Sequence, residues 1–451
     1  MGDYLHIYIL LILVTFIFIG VDVAIALGVV SFLAMFISTG DIEITLAFLS
    51  STAYEALRDY LFAVIPLFLL MGGLIAKSGM AYDIFWAIDK WLSKLPARFA
   101  FATILGNVVF SFVSGTSLAS ATTFTAIAYP EMKRAKYSAS FSLGIISGSA
   151  CLGMLIPPSL LMVVWGILTD ISIGHLFLAG VLPGFLLAGL MLVYVAVHSF
   201  VNPSLTNHIP NLSQDTPGLE AKRASSDETN KAPTLLDLIF SVAGLSLIVI
   251  LALGGIWAGF FTPTEGAAVG ALIAFAISLL KGMRIRVVVE VIVSVGKIAV
   301  PLMVLVFAAQ LYSRTLAMSG IGSEIQDLLL STQWTLGYTI LFMVLVWLFM
   351  GMFIDSISIM LLTVPIFWPI ANSLGIDPLA FALIGILTIE AGLLSPPFGL
   401  VVYAVKSVIP EEEVSIREIF MGSFPFVLLL LFVVFLIYWV PGIATWLPSW
   451  L

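Results

Sequence analysis

The sequence predicts an all-α polytopic membrane protein folded as an inverted repeat, with about ten crossings, two re-entrant helical hairpins and two broken helices. Three observations predict it. First, 61% of the 451 residues are hydrophobic and only 10% are charged, against ~25% charged in soluble domains. Apolar runs of membrane-spanning length, about 20 residues, recur from end to end. Second, two of these runs contain adjacent prolines, in Ile156-Pro157-Pro158-Ser159 and Ser395-Pro396-Pro397-Phe398. Each pair removes two backbone donors and disfavours helix just before each ring. Inside a bilayer such a break is tolerated only where the freed carbonyls face protein, water or an ion. Third, the second half copies the first. Pro130 to Pro157 and Pro369 to Pro396 are both 27 positions; Ser117 to Pro157 and Ser356 to Pro396 are both 40. One offset of 239 superposes hairpin tip, hairpin end and helix break. Further out it drifts to 241 (Ser78-Gly79 on Ser319-Gly320) and 242 (Gly180 and Pro183 on Gly422 and Pro425).

The first repeat, residues 1–200, opens with helices at about 4–20 and 22–38. The start, Met1-Gly2-Asp3-Tyr4, has no positive segment, so Leu5 to Gly20 is expected as a retained first helix rather than a signal peptide. Residues 42–58 are shorter and mixed in polarity, as suits an interfacial segment. A span follows at 60–76, and residues 81–92, rich in charges and aromatics, predict an arm at the membrane surface. Residues 98–132 are apolar but interrupted at Ser114-Gly115-Thr116-Ser117, too short on each side for two full crossings; this predicts the first hairpin. The first broken helix covers about 138–168, and 173–200 closes the repeat.

Residues 201–233 form a polar linker of Pro, Ser, Asn, Thr, Asp, Glu and Lys with few aliphatics. The second repeat, 234–451, has spans near 235–260, 264–280 and 298–318, with Lys281 to Lys297 as a basic connecting segment. Thr262-Pro263-Thr264-Glu265 has the form of a helix start. A second hairpin is expected at 333–371, a second broken helix at 378–406 and a last span at 419–440.

Five crossings and one hairpin per half require the halves to be inverted. With the base of the first hairpin on the cytoplasmic side, 16 of the 18 Lys and Arg residues fall on that face, and only Arg58 and Arg314 lie opposite. That asymmetry obeys the positive-inside rule. Both termini are then expected on the periplasmic side and the linker in the cytoplasm.

Two hairpin tips entering from opposite faces, each paired with a broken helix, make two cradles near the midplane. The first sets Ser114, Gly115, Thr116 and Ser117 against Pro157, Pro158 and Ser159. The second sets Asp355, Ser356 and Ser358 against Ser395, Pro396, Pro397 and Gly399. Unwound carbonyls and small hydroxyls are hard oxygen ligands suited to a bare alkali cation, while helix N-termini at the same breaks suit an anionic group. Ser117, Pro158, Ser159, Ser358 and Pro397 are therefore candidates for touching a substrate. Asp355 is a cation-ligand candidate, because a carboxylate at membrane depth costs about 2.5–3.5 kcal/mol on insertion scales; a hairpin-tip cap is its structural alternative. For Glu390, coupling and buried hydrogen bonding weigh equally. A Ser or Thr hydroxyl can also simply bond back to its own helix.

No phosphate-binding loop, nucleophile elbow or metal motif is present, which leaves an ATP-driven pump or an intramembrane enzyme without support. His6, His175, His198 and His208 are scattered. A single cysteine, Cys151, excludes an internal disulfide. No cofactor and no nucleic-acid partner are expected. As a pair, the two cradles point to a secondary transporter.

Along nearly its whole length the chain resembles the large membrane subunit of TRAP (tripartite ATP-independent periplasmic) transporters. The resemblance is carried by Ile65-Pro66-Leu67-Phe68 through Lys77-Ser78-Gly79, Tyr129-Pro130-Glu131-Met132, Leu152 to Ser159, and Leu176 to Gly184. In the second half it is carried by Thr262 to Glu265, Gly375-Ile376-Asp377, and Gly392 to Gly399. It implies an elevator-type, sodium-coupled importer of organic acid anions in the bacterial inner membrane. Its implied partners are a small four-helix membrane subunit, here a separate chain, and a periplasmic substrate-binding protein. It also implies sodium sites at Gly115, Thr116, Ser117, Pro157, Asp355, Ser356, Pro396 and Gly399. The first tip departs from the family's usual Gly-Ser-Ser or Gly-Ser-Gly by reading Gly115-Thr116-Ser117, and the linker is longer than usual. The alternatives are a stand-alone sodium–dicarboxylate symporter of the same architecture and, from another class, a channel or scaffold subunit.

Overall fold

A computed structural model describes residues 11–13, 15–17, 19–201, 233–319, 335–410 and 413–450. The expected linker and the start of the first helix lie outside these residues. All regular structure among the described residues is helical. The first repeat comprises α1 (Val23–Thr39), α2 (Ile42–Arg58), α3 (Val64–Lys77, entered through a 3-10 turn at Tyr60–Ala63) and α4 (Met80–Trp91). It continues with α5 (Arg98–Ser114), α6 (Ser117–Arg134), α7 (Ala139–Ala150), α8 (Leu160–Thr169) and α9 (Ile173–Val201). The second repeat comprises α10 (Leu235–Leu247), α11 (Pro263–Leu280), α12 (Ile285–Ser319), α13 (Leu336–Gly351) and α14 (Ser356–Ser373), then α15 (Pro378–Leu393), α16 (Leu400–Val408) and α17 (Ile416–Trp439).

The helix starts follow the local chemistry. Asp22 and Asp41 accept backbone N–H bonds at the heads of α1 and α2. Thr262 with Glu265 and Ser415 with Glu418 close reciprocal capping boxes on α11 and α17. One expectation needs correction. The basic segment 281–297 is not a connection: α12 begins at Ile285 and runs 35 residues as one helix. Its buried positions Val288, Val291, Val295 and Ala299 recur at helical spacing. Arg286, Glu290 and Lys297 stay exposed, and Arg286 pairs with Glu290 at 3.3 Å. The span expected at 235–260 is present over Leu235–Trp257, with Ile248–Leu253 as a π-helical insertion between α10 and a short helix at Gly254–Trp257. Nothing in its run of aliphatics marks the change of period.

The first arm of each hairpin is a helix too short to cross alone. α5 and α13, of 17 and 16 residues, span about 25 Å at 1.5 Å per residue, less than the ~30 Å of hydrocarbon. Among the described residues, eight helical stretches are long and apolar enough to cross by length and composition, the second arm α14 and the first broken helix included. The two repeats interlock reciprocally: α8 packs on α14, the second arm of the second hairpin, and α16 packs on α6, the second arm of the first. This exchange is what an inverted repeat requires of two broken helices. An aromatic cluster seals the first junction, with Trp165 5.7 Å from Phe381 and Trp347 5.4 Å from Phe367. Trp347 also donates its Nε1–H to Thr363 at 2.7 Å.

Burial is graded in the same sense. The first broken helix, Ala139–Thr169, is 94% buried in its most apolar window and α14 is 72% buried, whereas the stretch containing α10 is 22% and α12 33% buried. The first broken helix and α14 are thus the most enclosed of these stretches, and α10 and α12 lie at the periphery. The tightest contact in the centre is α7 on α17. There Gly422 lies against the Ser140 carbonyl, where a Cβ would collide with it, and the reciprocal Gly144 lies against the Gly422 carbonyl. The substitution Gly422→Ala is expected to destabilise the fold by about 3 kcal/mol or more, because backbone cannot move aside as a flexible side chain can. Folded yield and melting temperature measure it, and a variant that melts with the wild type would contradict this packing.

Candidate functional site

Each hairpin tip meets the break of its own repeat. In the first cradle Gly115, in left-handed backbone at φ 63°, turns the chain between α5 and α6. Its carbonyl accepts from the Leu160 N–H at 3.1 Å, which ties the tip to the head of α8. A Cβ on Gly115 would stand 3.0 Å from the Pro158 carbonyl oxygen. In the second cradle the Phe398 N–H donates to the Met352 carbonyl at 3.2 Å. Gly351 and Gly392 pack backbone to backbone.

Most of the hydroxyls at the tips and breaks are engaged in the fold. Thr116 caps α6 by accepting from the Ala119 N–H at 3.3 Å. Ser114 and Ser120 share a hydrogen bond of 3.1 Å. Ser159 donates to the Met154 carbonyl at 2.5 Å and accepts from the Met162 N–H at 3.4 Å, so it caps α8 and closes the unwound turn. Ser395 bonds back to the Ala391 carbonyl at 2.9 Å. Asp355 caps α14, its Oδ1 accepting from Ile357 and Ser358 N–H at 3.1 and 3.0 Å. Ser356 and Ser358 are buried on the first turn of α14. Ser117 is different: its Oγ is buried without a hydrogen-bond partner.

Beside Ser117 stands the most unusual group in the molecule. Glu390, on α15, is 1% exposed, and both carboxyl oxygens are buried with no hydrogen-bond partner. Its electrostatic neighbours are the Ser117 hydroxyl at the first hairpin tip and the Cys151 thiol ahead of the first break. Cys151 and Glu390 are equivalent positions of the two repeats by the 239-residue offset. Equivalent residues that face each other lie at the axis relating the halves. The second repeat therefore sends a carboxylate into the first repeat's cradle. An isolated ionised carboxylate in such surroundings costs several kcal/mol. The Ser117 hydroxyl and the Glu390 carboxylate together supply hard oxygens that no well-formed hydrogen bond engages, which fits a bare cation. Asn107, on α5, adds another orphaned oxygen, Oδ1, while its Nδ2 donates to Ser149 at 2.7 Å.

The cradles differ in enclosure. Ile156 to Ser159 are all buried, whereas Pro396 and Pro397 are exposed. Phe398 is 53% and Phe353 45% exposed, their rings 6.0 Å apart over the second tip. Gly399 starts α16 in left-handed backbone at φ 34°. At the base of the first hairpin Lys133 pairs with Glu413 at 2.6 Å. That hydrogen bond, with smaller help from Tyr129, holds the Glu413 carboxyl below its ordinary range against a slight desolvation. The contact sets Lys133 and the loop after Lys406 on one face, as the charge asymmetry requires. Arg314 pairs instead with Glu55.

Sequence reasoning placed both tips and both breaks correctly. It left Glu390 undecided, although the repeat offset pairs it with Cys151 and could have marked it as an axial position.

Paired broken helices and re-entrant hairpins in an inverted repeat define a multi-pass membrane transporter, not an enzyme. Residues 10–443 match the family model described as the tripartite ATP-independent periplasmic transporter, DctM component, and the chain belongs to that family. It is 30% identical over 402 residues to the C4-dicarboxylate TRAP transporter large permease protein of Pseudomonas aeruginosa, covering 88% of each chain. It is 27% identical to the sialic acid TRAP transporter large permease protein of Vibrio cholerae, covering 93% of this chain and 92% of that one. In fold it is similar to the Neisseria gonorrhoeae MtrF structure, with a TM-score of 0.60 at 15% identity over 90% of this chain and 85% of that one.

Proposed function

We propose that this chain is the large permease of a sodium-coupled, binding-protein-dependent transporter importing a carboxylate-bearing organic solute across the inner membrane. The observation that carries the coupling is the orphaned pair at the axis, Glu390 and Ser117. An unpaired carboxylate at membrane depth marks an ion pathway by default. Sodium held there would be met by the Ser117 hydroxyl, the Glu390 carboxylate and carbonyls of the Gly115-to-Ser117 turn, with Pro157 in the opposing break. The second cradle offers Asp355, whose Oδ1 caps α14, together with Ser356, Ser395, Pro396 and Gly399. The heads of α8 and α14 present positive ends to an anionic group near Ser117, Pro158, Ser159, Ser358 and Pro397. The graded burial supports an elevator, in which hairpins and broken helices move as a unit against peripheral helices. The substrate class rests on the cargo of the relatives, C4-dicarboxylate and sialic acid, and the partners on the tripartite family: a small membrane subunit and a periplasmic binding protein. Proteoliposomes holding both membrane subunits test this with radiolabelled C4-dicarboxylates and sialic acid. Uptake is expected only with an inward sodium gradient and added binding protein; accumulation without either would overturn it.

A further inference from the structure

Away from both cradles, the ends of α3 and α11 and the head of α12 converge on a cavity of about 370 Å3, lined among others by Lys77, Ser278, Lys281, Gly282 and Arg284. Its charges are not equivalent. The Lys281 side chain is 6% exposed and ion-paired with Asp83. Its Nζ also donates to Ser241 at 2.7 Å, and the Ser241 hydroxyl donates to Asp83 at 2.6 Å. This closed triad joins α4, α10 and α11 beneath the cavity and leaves no net charge there. Lys77 and Arg284 are exposed, and neither pairs with a carboxylate among the described residues.

Most of the carbonyls that close α11 are turned away from the cavity's cations by bonds within the chain. Three of them are taken by the N–H groups of Lys281, Gly282 and Met283, each at 2.9 Å, and the Leu74 carbonyl of α3 by the Ser78 N–H at 2.9 Å. The head of α12 adds the positive end of a 35-residue helix whose first turn carries no acid. Two uncompensated cations and a helix head around one cavity suit a phosphate.

What surrounds the cavity chooses between a free phosphate and a lipid. Leu279 and Leu280 on α11, and Ile285 and Val289 on α12, bracket the lining residues and are 40%, 65%, 63% and 52% exposed. A small inorganic anion has no use for that apolar border, whereas acyl chains do. Basic groups at helix ends, next to exposed aliphatics, are placed where headgroups meet hydrocarbon. We propose that this cavity binds the phosphate of an anionic phospholipid headgroup, held by Lys77 and Arg284, and so fastens helices α3, α11 and α12 to the bilayer. This is independent of how the cargo is coupled.

The test is lipid binding to the purified chain in detergent, followed by native mass spectrometry with phosphatidylglycerol, phosphatidylcholine or inorganic phosphate. Wild type is expected to prefer phosphatidylglycerol over phosphatidylcholine. The double variant K77A/R284A is expected to lose affinity for phosphatidylglycerol on the order of tenfold and to bind phosphatidylcholine unchanged. Both side chains are exposed and pair with no carboxylate among the described residues, so the fold should survive; an unchanged melting temperature checks this. Arg286→Ala is the control, since Arg286 is a neighbouring cation outside the lining and engaged with Glu290. It should bind as wild type. Equal phosphatidylglycerol affinity in wild type and double variant overturns the site. An equal loss in Arg286→Ala reduces it to general surface charge. Displacement of the lipid by an equal concentration of inorganic phosphate makes it a free-anion site and overturns the lipid assignment.

Discussion

Glu390→Gln is expected to remove most sodium-driven uptake while leaving the protein folded. Glutamine keeps the shape of the side chain and an oxygen near Ser117 but removes the charge. Neither carboxyl oxygen holds a well-formed hydrogen bond, and the neighbouring Ser117 hydroxyl and Cys151 thiol can face a glutamine oxygen as they face the carboxylate. The destabilisation that usually follows removal of a buried charged group, typically 3–5 kcal/mol when a partner is left behind, has no partner to act on. Melting in sodium-free buffer should therefore be unchanged or raised. The effect should appear with sodium. Losing a charged ligand from a dehydrated site is expected to weaken sodium about tenfold or more, each factor of ten being worth ~1.4 kcal/mol. Two measurements separate ligand from mere packing: the sodium concentration for half-maximal uptake, and the sodium-dependent rise in melting temperature, which needs no transport. Wild-type sodium dependence of both in Glu390→Gln would dismiss the carboxylate as a ligand, even if uptake fell. A wild type whose melting ignores sodium would remove the coupling reading itself.

How much of this was legible in the sequence depends on whether the signal was local or spatial. Pro157 and Pro396 announce the breaks because a missing N–H acts at its own position. Gly115 announces a tip because only a turn interrupts so apolar a run. Spacing then gave the pairing of tip and break, since duplication preserves distances along the chain. Three things stayed hidden. The helical state of 285–297 was masked by Arg284, Arg286 and Lys297, whose charges suggested a connection, although Val288, Val291 and Val295 already carried the helical period. The capping role of Asp355 was visible as an alternative but could not be ranked without the N–H groups of Ile357 and Ser358. The isolation of Glu390 was invisible, because a buried polar atom is orphaned by what its neighbours fail to supply, and those neighbours are 239 and 273 positions away at Cys151 and Ser117.

Gly115→Ala is expected to cost both stability and transport. Two effects act together: alanine in left-handed backbone costs ~1–2 kcal/mol, and its Cβ would stand 3.0 Å from the Pro158 carbonyl oxygen, backbone that cannot rotate away. Tip and break must then separate by a few tenths of an ångström, which weakens the Leu160-to-Gly115 hydrogen bond, a further ~1 kcal/mol. Those atoms also frame the proposed cation position, so the same displacement loosens the coordination. Uptake per folded molecule should drop about tenfold or more, by the same conversion of ~1.4 kcal/mol per decade. Gly79→Ala separates strain from contact. Gly79 has a similar backbone, φ 80°, but nothing lies within 4 Å of an added Cβ. It should melt lower by the backbone strain alone, less than Gly115→Ala, yet keep uptake near wild type. Equal transport by the two variants would show that closeness of tip to break is not what the first cradle depends on. A defect confined to Gly115→Ala would place the working contact of the transporter between the first hairpin tip and the head of α8.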